Sequence, residues 1–348
     1  MERLDGQIAI TGLGAVGAAG VGIAAALEAV QQRRCCLQPV PEELANGRAD
    51  YLWGRADAFK ATDFIAPLKA RKLDRASQFA VAVAGQALAD AGIVKGAVPA
   101  ARIGIALGCG FGGIANSVEF LSGYFREGLV GLNPMLFPNT VANAPASNAS
   151  IEYGLKGPNI TFIQRFCSAE SAILAACRFI EEGRADLMLA GGVDELTPLM
   201  VRGFAATGQL KRFASGFGEG CGMLLLERAS HAEARGAVVK ARLESIRTIG
   251  LLLPGREQEG IDRLLPVTSG FSHIALSGAE PPGEPLSKGL GRENLIRPGD
   301  SIGRSLAMGG VVSSLLVSML APQKMGLHLA ASPEGPFFAL TFRGGHSA

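Results

Sequence analysis

The sequence predicts an α/β fold built from two similar halves. Short β-rich apolar runs alternate with amphipathic helical stretches along the chain, and that alternation argues for a parallel-rich sheet covered by helices. The composition agrees: 48% of the 348 residues are hydrophobic, only 18% are charged, and 47 glycines accompany 6% aromatics, which suits helices packed closely over buried strands. The strand–helix–strand layout also recurs past Gly222 without a sequence repeat. The length allows one large domain of two fused halves, divided at 1–222 and 223–348 with the second half shorter.

In chain order, residues 7–12 (QIAITG) read as a buried strand ending at glycine. The Gly/Ala-rich residues 14–22 read as a turn region, and 23–32 as a helix. Residues 74–91 (DRASQFAVAVAGQALADA) form a strongly amphipathic helix with Asp74 near its start and Gly92 as its stop. Strands are expected at 102–109, 160–164 and 186–191, with a helix over 168–182 ended by Gly183. Past Gly222, strands are expected at 223–227, 238–246, 272–276 and 337–342, and helices at 230–235 and 305–319. Gly, Pro and charge gather at 254–265 and 279–300, which read as loops.

A net charge of +2 gives no electrostatic case for nucleic acid. The six cysteines (35, 36, 109, 167, 177, 221) make no metal-type pair of pairs and read as reduced core residues of a cytoplasmic protein. The first ten residues lack the long apolar region of a signal peptide. The longest apolar run, 309–321, carries three serines and is too short to span a bilayer. Residues 108–113 (GCGFGG) follow a strand, but a nucleotide loop would need spaced glycines and an acidic residue after the next strand. No metal and no cofactor is expected.

Seven segments carry a resemblance through their order and spacing: 8–14 (IAITGLG), 74–93, 133–157, Gly157-Pro158-Asn159, 184–195 (RADLMLAGGVDE), 218–232 (GEGCGMLLLERASHA) and 342–345. Together they resemble the β-ketoacyl synthase branch of the thiolase superfamily. The resemblance implies a thiolase-like fold, with a mixed sheet in each half and an α-β-α-β-α stack. It also implies a two-fold dimer and decarboxylative Claisen condensation. That reaction uses a cysteine nucleophile activated at a buried helix N-terminus, two histidines for decarboxylation and enolate stabilisation, and usually a supporting lysine.

Set against that pattern, the triad is lost. Counting without a gap from Gly157-Pro158 to Ala190-Gly191-Gly192 puts Phe166 at the nucleophile position and Cys167 one residue late. A helix turns about 100° per residue, so the shift aims the side chain elsewhere. Ser277 takes the place of the first histidine, in the segment that resembles HGTGT. Arg304 takes the place of the second, in GRSLAMGG against GH..GAAG. A serine hydroxyl does not titrate near neutrality, and an arginine stays protonated. The supporting lysine falls on Gly299, and a gating phenylalanine of the final loop falls near Thr341 or Phe342. The stretches 208–220 and beyond Gly278 are shorter than in the family, so entrance loops are trimmed. His231, His273, His328 and His346 read as surface or satisfied core residues. Cys167 with His273 is the one catalytic pairing worth testing.

The resemblance then implies a non-catalytic partner of an active synthase, similar to the chain-length factors of type II polyketide and aryl polyene systems. In that role Phe120, Tyr124, Phe125 and Phe137 would line the tunnel or interface, where the alternative is ordinary packing. The expected partners are a catalytic β-ketoacyl synthase or a second copy, and an acyl-carrier protein, with no nucleic acid and no membrane span. Lys69, Arg71, Lys72 and Arg75 form a basic cluster that faces either an acidic carrier or solvent. Two alternatives stand beside this reading: an acyltransferase or thioesterase-like enzyme using Cys167, and a homodimeric carrier-binding scaffold.

Overall fold

The computed structural model describes residues 2–45, 51–213, 216–252, 255–265, 270–279, 294–333 and 335–345. The first half contributes β1 (Glu2–Gly17), β2 (Gly20–Val21), β3 (Gln38–Pro39), β4 (Leu52–Gly54), β5 (Ile103–Cys109), β6 (Asn159–Phe162), β7 (Leu187–Asp194), β8 (Phe217–Gly218) and β9 (Gly220–Arg228). The second contributes β10 (Ala241–Ile249), β11 (His273–Gly278), β12 (Leu295–Ile296), β13 (Met325–Ala331) and β14 (Phe337–Gly344). The main sheet runs β6-β5-β7-β9-β1-β10-β14-β13-β11-β12, while β3, β4 and β8 form a small sheet of their own.

Counted within each half, the strand order is the same, 3-2-4-5-1 from the outer edge. The directions also match. β5 is parallel to β6 and β7 and β9 antiparallel to β7 and β1, just as β11 is parallel to β12 and β13 and β14 antiparallel to β13 and β10. The halves join through the antiparallel pair β1–β10, with Ile8 opposite Leu243 and Ile10 opposite Ala241. A division after Gly222 would cut β9 in mid-strand. Strand order counts β9 with the first half, so on topology the halves meet around the Ala229–Ala234 helix.

Five layers result. The Arg75–Asp90 and Ala144–Tyr153 helices cover the outside of the first half. The Ser168–Glu181 and Gly309–Met319 helices pack together between the halves, and the Glu257–Leu264 helix lies over β10 and β14. Strand alternation divides the core accordingly. Ile105 and Leu107 face the outer layer and Ala106 the inner one; Leu327 and Leu329 face outward, Ala330 inward. The long Arg75–Asp90 helix starts where Asp74 accepts the Ser77 N–H at 3.2 Å, a cap of about 1 kcal/mol. It stops at Gly92, whose φ is +68°.

Four expectations are corrected. Residues 14–17 continue β1 instead of turning. Gly12 and Gly14 lie so close to the helix carbonyls of Ala87 and Val83 that a Cβ would stand 2.0 and 2.5 Å from them, so these glycines serve close packing. Residues 257–264 form a helix, not a loop, because Ile261 and Leu264 supply an apolar face beneath a charged one. The helix expected at 305–319 begins only at Gly309. Finally, Thr341 and Phe342 lie inside β14, paired on both sides, and cannot belong to a final loop. The β13–β14 connection is 332–336.

Candidate functional site

The site is built where β6 hands over to the Ser168–Glu181 helix. Arg165 sits in the left-handed region at φ 55°, a single turn follows over Arg165–Cys167, and the helix begins at once. Ser168 fastens this turn. Its Oγ accepts the Gln164 N–H at 2.8 Å and donates to the Arg165 carbonyl at 2.8 Å. A non-glycine residue held left-handed costs roughly 1–2 kcal/mol, and such strain gathers at functional positions.

Phe166 fills the turn. It is 3% exposed, packs its ring 5.3 Å from that of Phe213, and shares a cluster with Phe204, Phe217, Met200 and Leu306. It also forms part of the wall of a cavity of about 290 Å³, together with Phe111 from the glycine-rich loop after β5. The end of β5 approaches the same region: a Cβ on Gly108 would lie 2.2 Å from the Ser168 backbone.

Cys167 is fully buried, and its thiol donates to the Pro336 carbonyl at 3.1 Å. Burial, and then the nearby Glu170, push the thiol well above its ordinary pKa. A buried, protonated and hydrogen-bonded thiol is the opposite of an activated nucleophile. His273 is not brought to it. His273 opens β11 beside Ser272 and lines a polar cleft with Gln31, Arg33 and Arg297. It lies four strand steps before Ser277, about 13 Å away along β11.

Ser277 and Arg304 do come together. Both line a small cleft of about 20 Å³, and Arg304 reaches the Gly278 carbonyl and, at 3.3 Å, Asp300. The Arg304 side chain lies over Gly299, where a Cβ would stand 2.8 Å from Arg304 Cγ. The arginine thus occupies the space above the position expected for a supporting lysine. Ser277 Oγ contacts Glu170 Oε1 at 3.0 Å and His328 Nε2 at 2.8 Å, and His328 Nδ1 contacts Ser313 Oγ at 2.8 Å. Glu170 and His328 are 0% exposed. Burial lifts the Glu170 carboxyl to about 7, and burial drives the His328 imidazole down to about 3.

A second buried carboxylate holds the approach to the Gly309–Met319 helix. Asp194 accepts from Gly110 N at 2.9 Å and Ala307 N at 2.6 Å, and burial lifts it to about 6. Sequence reasoning missed Glu170, Asp194 and the role of His328. One signal was present: Glu170 shares the helical face of Ile173, Cys177 and Ile180, all buried, so an acid there had to be a buried acid.

The remaining candidates separate. Phe120 and Phe137 meet at 5.8 Å between ring centroids, as do Tyr124 and Phe125. The Ile114–Glu127 helix that carries three of them buries no residue; Phe125 is 80% exposed and Phe137 58%. Of the basic cluster, Arg75 binds Glu219 and Lys69 binds Glu152, while Arg71 and Lys72 are exposed. His231 binds Glu227 at 2.6 Å. His346 lies outside the described residues. Among the described residues no helix is long and apolar enough to cross a membrane.

Comparison with known proteins agrees with this layout. Residues 5–232 match the family model for the N-terminal domain of β-ketoacyl synthases. The 3-oxoacyl-[acyl-carrier-protein] synthase 2 of Vibrio harveyi is 30% identical over 254 residues, 68% of this chain and 61% of that protein. The Synechocystis enzyme of the same name is 30% identical over 250 residues, 67% of this chain and 60% of its own length. The chain thus spans about three fifths of the length of these curated relatives. Among solved structures, a type II polyketide synthase acyl-carrier protein in complex with its ketosynthase matches with a TM-score of 0.81 at 21% identity, covering 97% of this chain and 99% of that one. The ishigamide ketosynthase/chain length factor matches with a TM-score of 0.81 at 21% identity, covering 98% and 100%. At such identities these two establish a shared fold.

Proposed function

We propose that this chain, which belongs to the β-ketoacyl synthase family, is a non-catalytic, chain-length-factor-like subunit. It would pair in the cytoplasm with an active ketosynthase during polyketide, aryl polyene or fatty-acid-type chain elongation. The observation that carries this reading is Phe166. A buried phenyl ring stands at the strand-to-helix turn where the family places its nucleophile, and the neighbouring thiol of Cys167 is protonated and spent on Pro336. Ser277 and Arg304 stand at the two histidine positions, so the expected acid–base chemistry has no imidazole in either place. His328 is near Ser277, but burial keeps its ring neutral and weakly basic.

A partner-facing surface supports the second part of the reading. β6 pairs with β5 on one side, and among the described residues its other edge has no strand beside it. Leu121, Phe125, Leu129, Val130 and Met135 stand exposed nearby in sequence on one helix and the turns that follow it. A cluster of exposed apolar side chains marks an interaction surface. The exposed Arg71 and Lys72 offer an acyl-carrier protein a complementary charge.

The test is co-expression with a catalytic synthase encoded beside it, followed by size analysis and product-length measurement. A one-to-one complex is expected, with products longer than the synthase makes alone or of a different single length. Alone, the chain should form no acyl adduct on Cys167 after incubation with carrier-protein thioesters. Adduct formation with turnover would replace this reading with the Cys167 enzyme. A stable homodimer that binds carrier protein and ignores the synthase would favour the scaffold.

A further inference from the structure

We infer that Glu170, Ser277, His328 and Ser313 form one hydrogen-bond relay whose polarity reverses when Glu170 gains or loses a proton, so that this carboxyl group sets the tautomer of His328. The relay needs no assumption about the proposed role, because it follows from the donors and acceptors in the central layer.

The argument is a count of protons. The contacts run in series: Glu170 Oε1 to Ser277 Oγ at 3.0 Å, Ser277 Oγ to His328 Nε2 at 2.8 Å, and His328 Nδ1 to Ser313 Oγ at 2.8 Å. Ser277 has a single hydroxyl proton, and a neutral imidazole has a single N–H. When Glu170 is ionised it can only accept, so Ser277 must donate to it. Ser277 Oγ can then only accept from the ring, which puts the proton on Nε2. The bare Nδ1 in turn accepts from Ser313. Every bond points toward the carboxylate.

When Glu170 takes up a proton on Oε1, each step inverts. The carboxyl O–H donates to Ser277 Oγ, the serine donates to Nε2, and the ring proton moves to Nδ1 and donates to Ser313 Oγ. The Ser313 hydroxyl then turns to a carbonyl of the preceding helical turn, the usual recourse of serine in a helix. A proton on Oε2 would leave the chain unreversed, but Glu170 Oε2 is buried without a hydrogen-bond partner. An O–H placed there would be a buried unsatisfied donor, at a cost of roughly 1–3 kcal/mol. Oε1 is therefore the favoured site.

Among the described residues, no charged group acts on the Glu170 carboxyl. The influences on Glu170 are its burial first, opposed by hydrogen bonds from its own backbone N–H and from Ser277. On its own helix the nearest titratable group is Cys167, held as a thiol. From β11 comes Ser277, from β13 His328, and from the Gly309–Met319 helix Ser313 and Gly309. Gly309 is cut away for the acid, since a Cβ there would lie 1.9 Å from Glu170 Oε1. On the turn before that helix, Arg304 is directed to Asp300 and the Gly278 carbonyl. Asp194, on β7, binds Gly110 N and Ala307 N. The carboxyl titrates at about 7 and the imidazole at about 3, so near neutrality the acid changes charge while the ring stays neutral.

The experiment is long-range proton–nitrogen NMR on the full chain with 15N-labelled histidine, followed from pH 5.5 to 8.5. The His328 ring, identified as the signal lost in a His328→Asn variant, should change from the Nδ1–H to the Nε2–H tautomer as pH rises through neutrality without passing through the doubly protonated form. In Glu170→Gln it should hold one tautomer at every pH, whichever amide atom faces Ser277. If that variant does not fold, 13C-labelled glutamate in the wild-type chain gives a second readout: a buried carboxyl should titrate with the same midpoint as the tautomer. A tautomer that is constant in the wild-type chain, or that changes identically in Glu170→Gln, or a carboxyl midpoint unrelated to it, overturns the inference.

Discussion

The turn at Gln164–Ser168 and the inner face of β11 and β13 meet in the centre of the molecule, yet they have been filled in opposite ways. The turn keeps its strained geometry, with Arg165 left-handed and Ser168 bracing it, while Phe166 fills it with an aromatic ring packed among apolar neighbours. The inner face of β11 and β13 carries Ser277 and His328 among apolar neighbours such as Ala275 and Ala330, and these two are linked in series with Glu170 from the Ser168–Glu181 helix. One scaffold therefore holds an apolar filling and a polar one side by side. An apolar replacement is stabilised by packing, whereas a polar one persists because each member has a partner.

The contrast can be broken first at the aromatic end. Phe166→Ala should destabilise the fold by about 3–5 kcal/mol, read as a lower denaturant midpoint with unchanged slope. A loss under 1 kcal/mol would mean the ring is not part of the core. Phe166→Cys should still give no condensation product, because Ser277 and Arg304 offer no histidine; product formation would restore catalytic standing to the chain.

The polar end should respond to pH. The folded Glu170 carboxyl titrates at about 7, against 4.5 for the free group. The folded state therefore binds the proton more tightly than the unfolded state. Its contribution is fully present below about 4.5 and is lost as pH rises to about 7, on the order of 3 kcal/mol. Asp194, lifted to about 6, acts in the same direction. Glu170→Gln should accordingly gain stability relative to wild type on going from pH 5 to pH 8, measured by urea unfolding at each pH. A difference independent of pH would remove Glu170 from the account.

Smaller effects follow. Ser277→Ala leaves Glu170 and His328 facing each other at 3.4 Å without a bridge, and should cost roughly 1–3 kcal/mol at neutral pH. Cys167→Ala should cost about 1 kcal/mol and alter no function of the complex. In the folded chain a thiol reagent should reach Cys35 and Cys36 quickly and the four buried cysteines only on unfolding; rapid labelling of Cys167 would contradict its burial.

Much of this was legible in the sequence, for local reasons. The Arg75–Asp90 helix announced itself through Asp74, its apolar period and Gly92. β5 and β7 showed as unbroken apolar runs because both of their faces are covered. The position of Phe166 at the strand-to-helix turn emerged from counting along an ungapped segment. What could not be read is what depends on distant neighbours. Gly12 looked like a strand end and Gly14 like a turn because the helix that demands their smallness is some seventy residues away. Glu170 and His328 looked unremarkable because their shared partner, Ser277, lies 107 residues from one and 51 from the other.

The outer edge of β6 carries a different kind of consequence. Among the described residues that edge is unpaired, and an open strand is a template for any extended chain that reaches it first. If the proposed pairing covers it, chain made in excess of its partner would be an aggregation-prone surplus. Gene dosage and the timing of synthesis would then become part of its chemistry, and the yield of soluble protein should track the supply of the proposed partner.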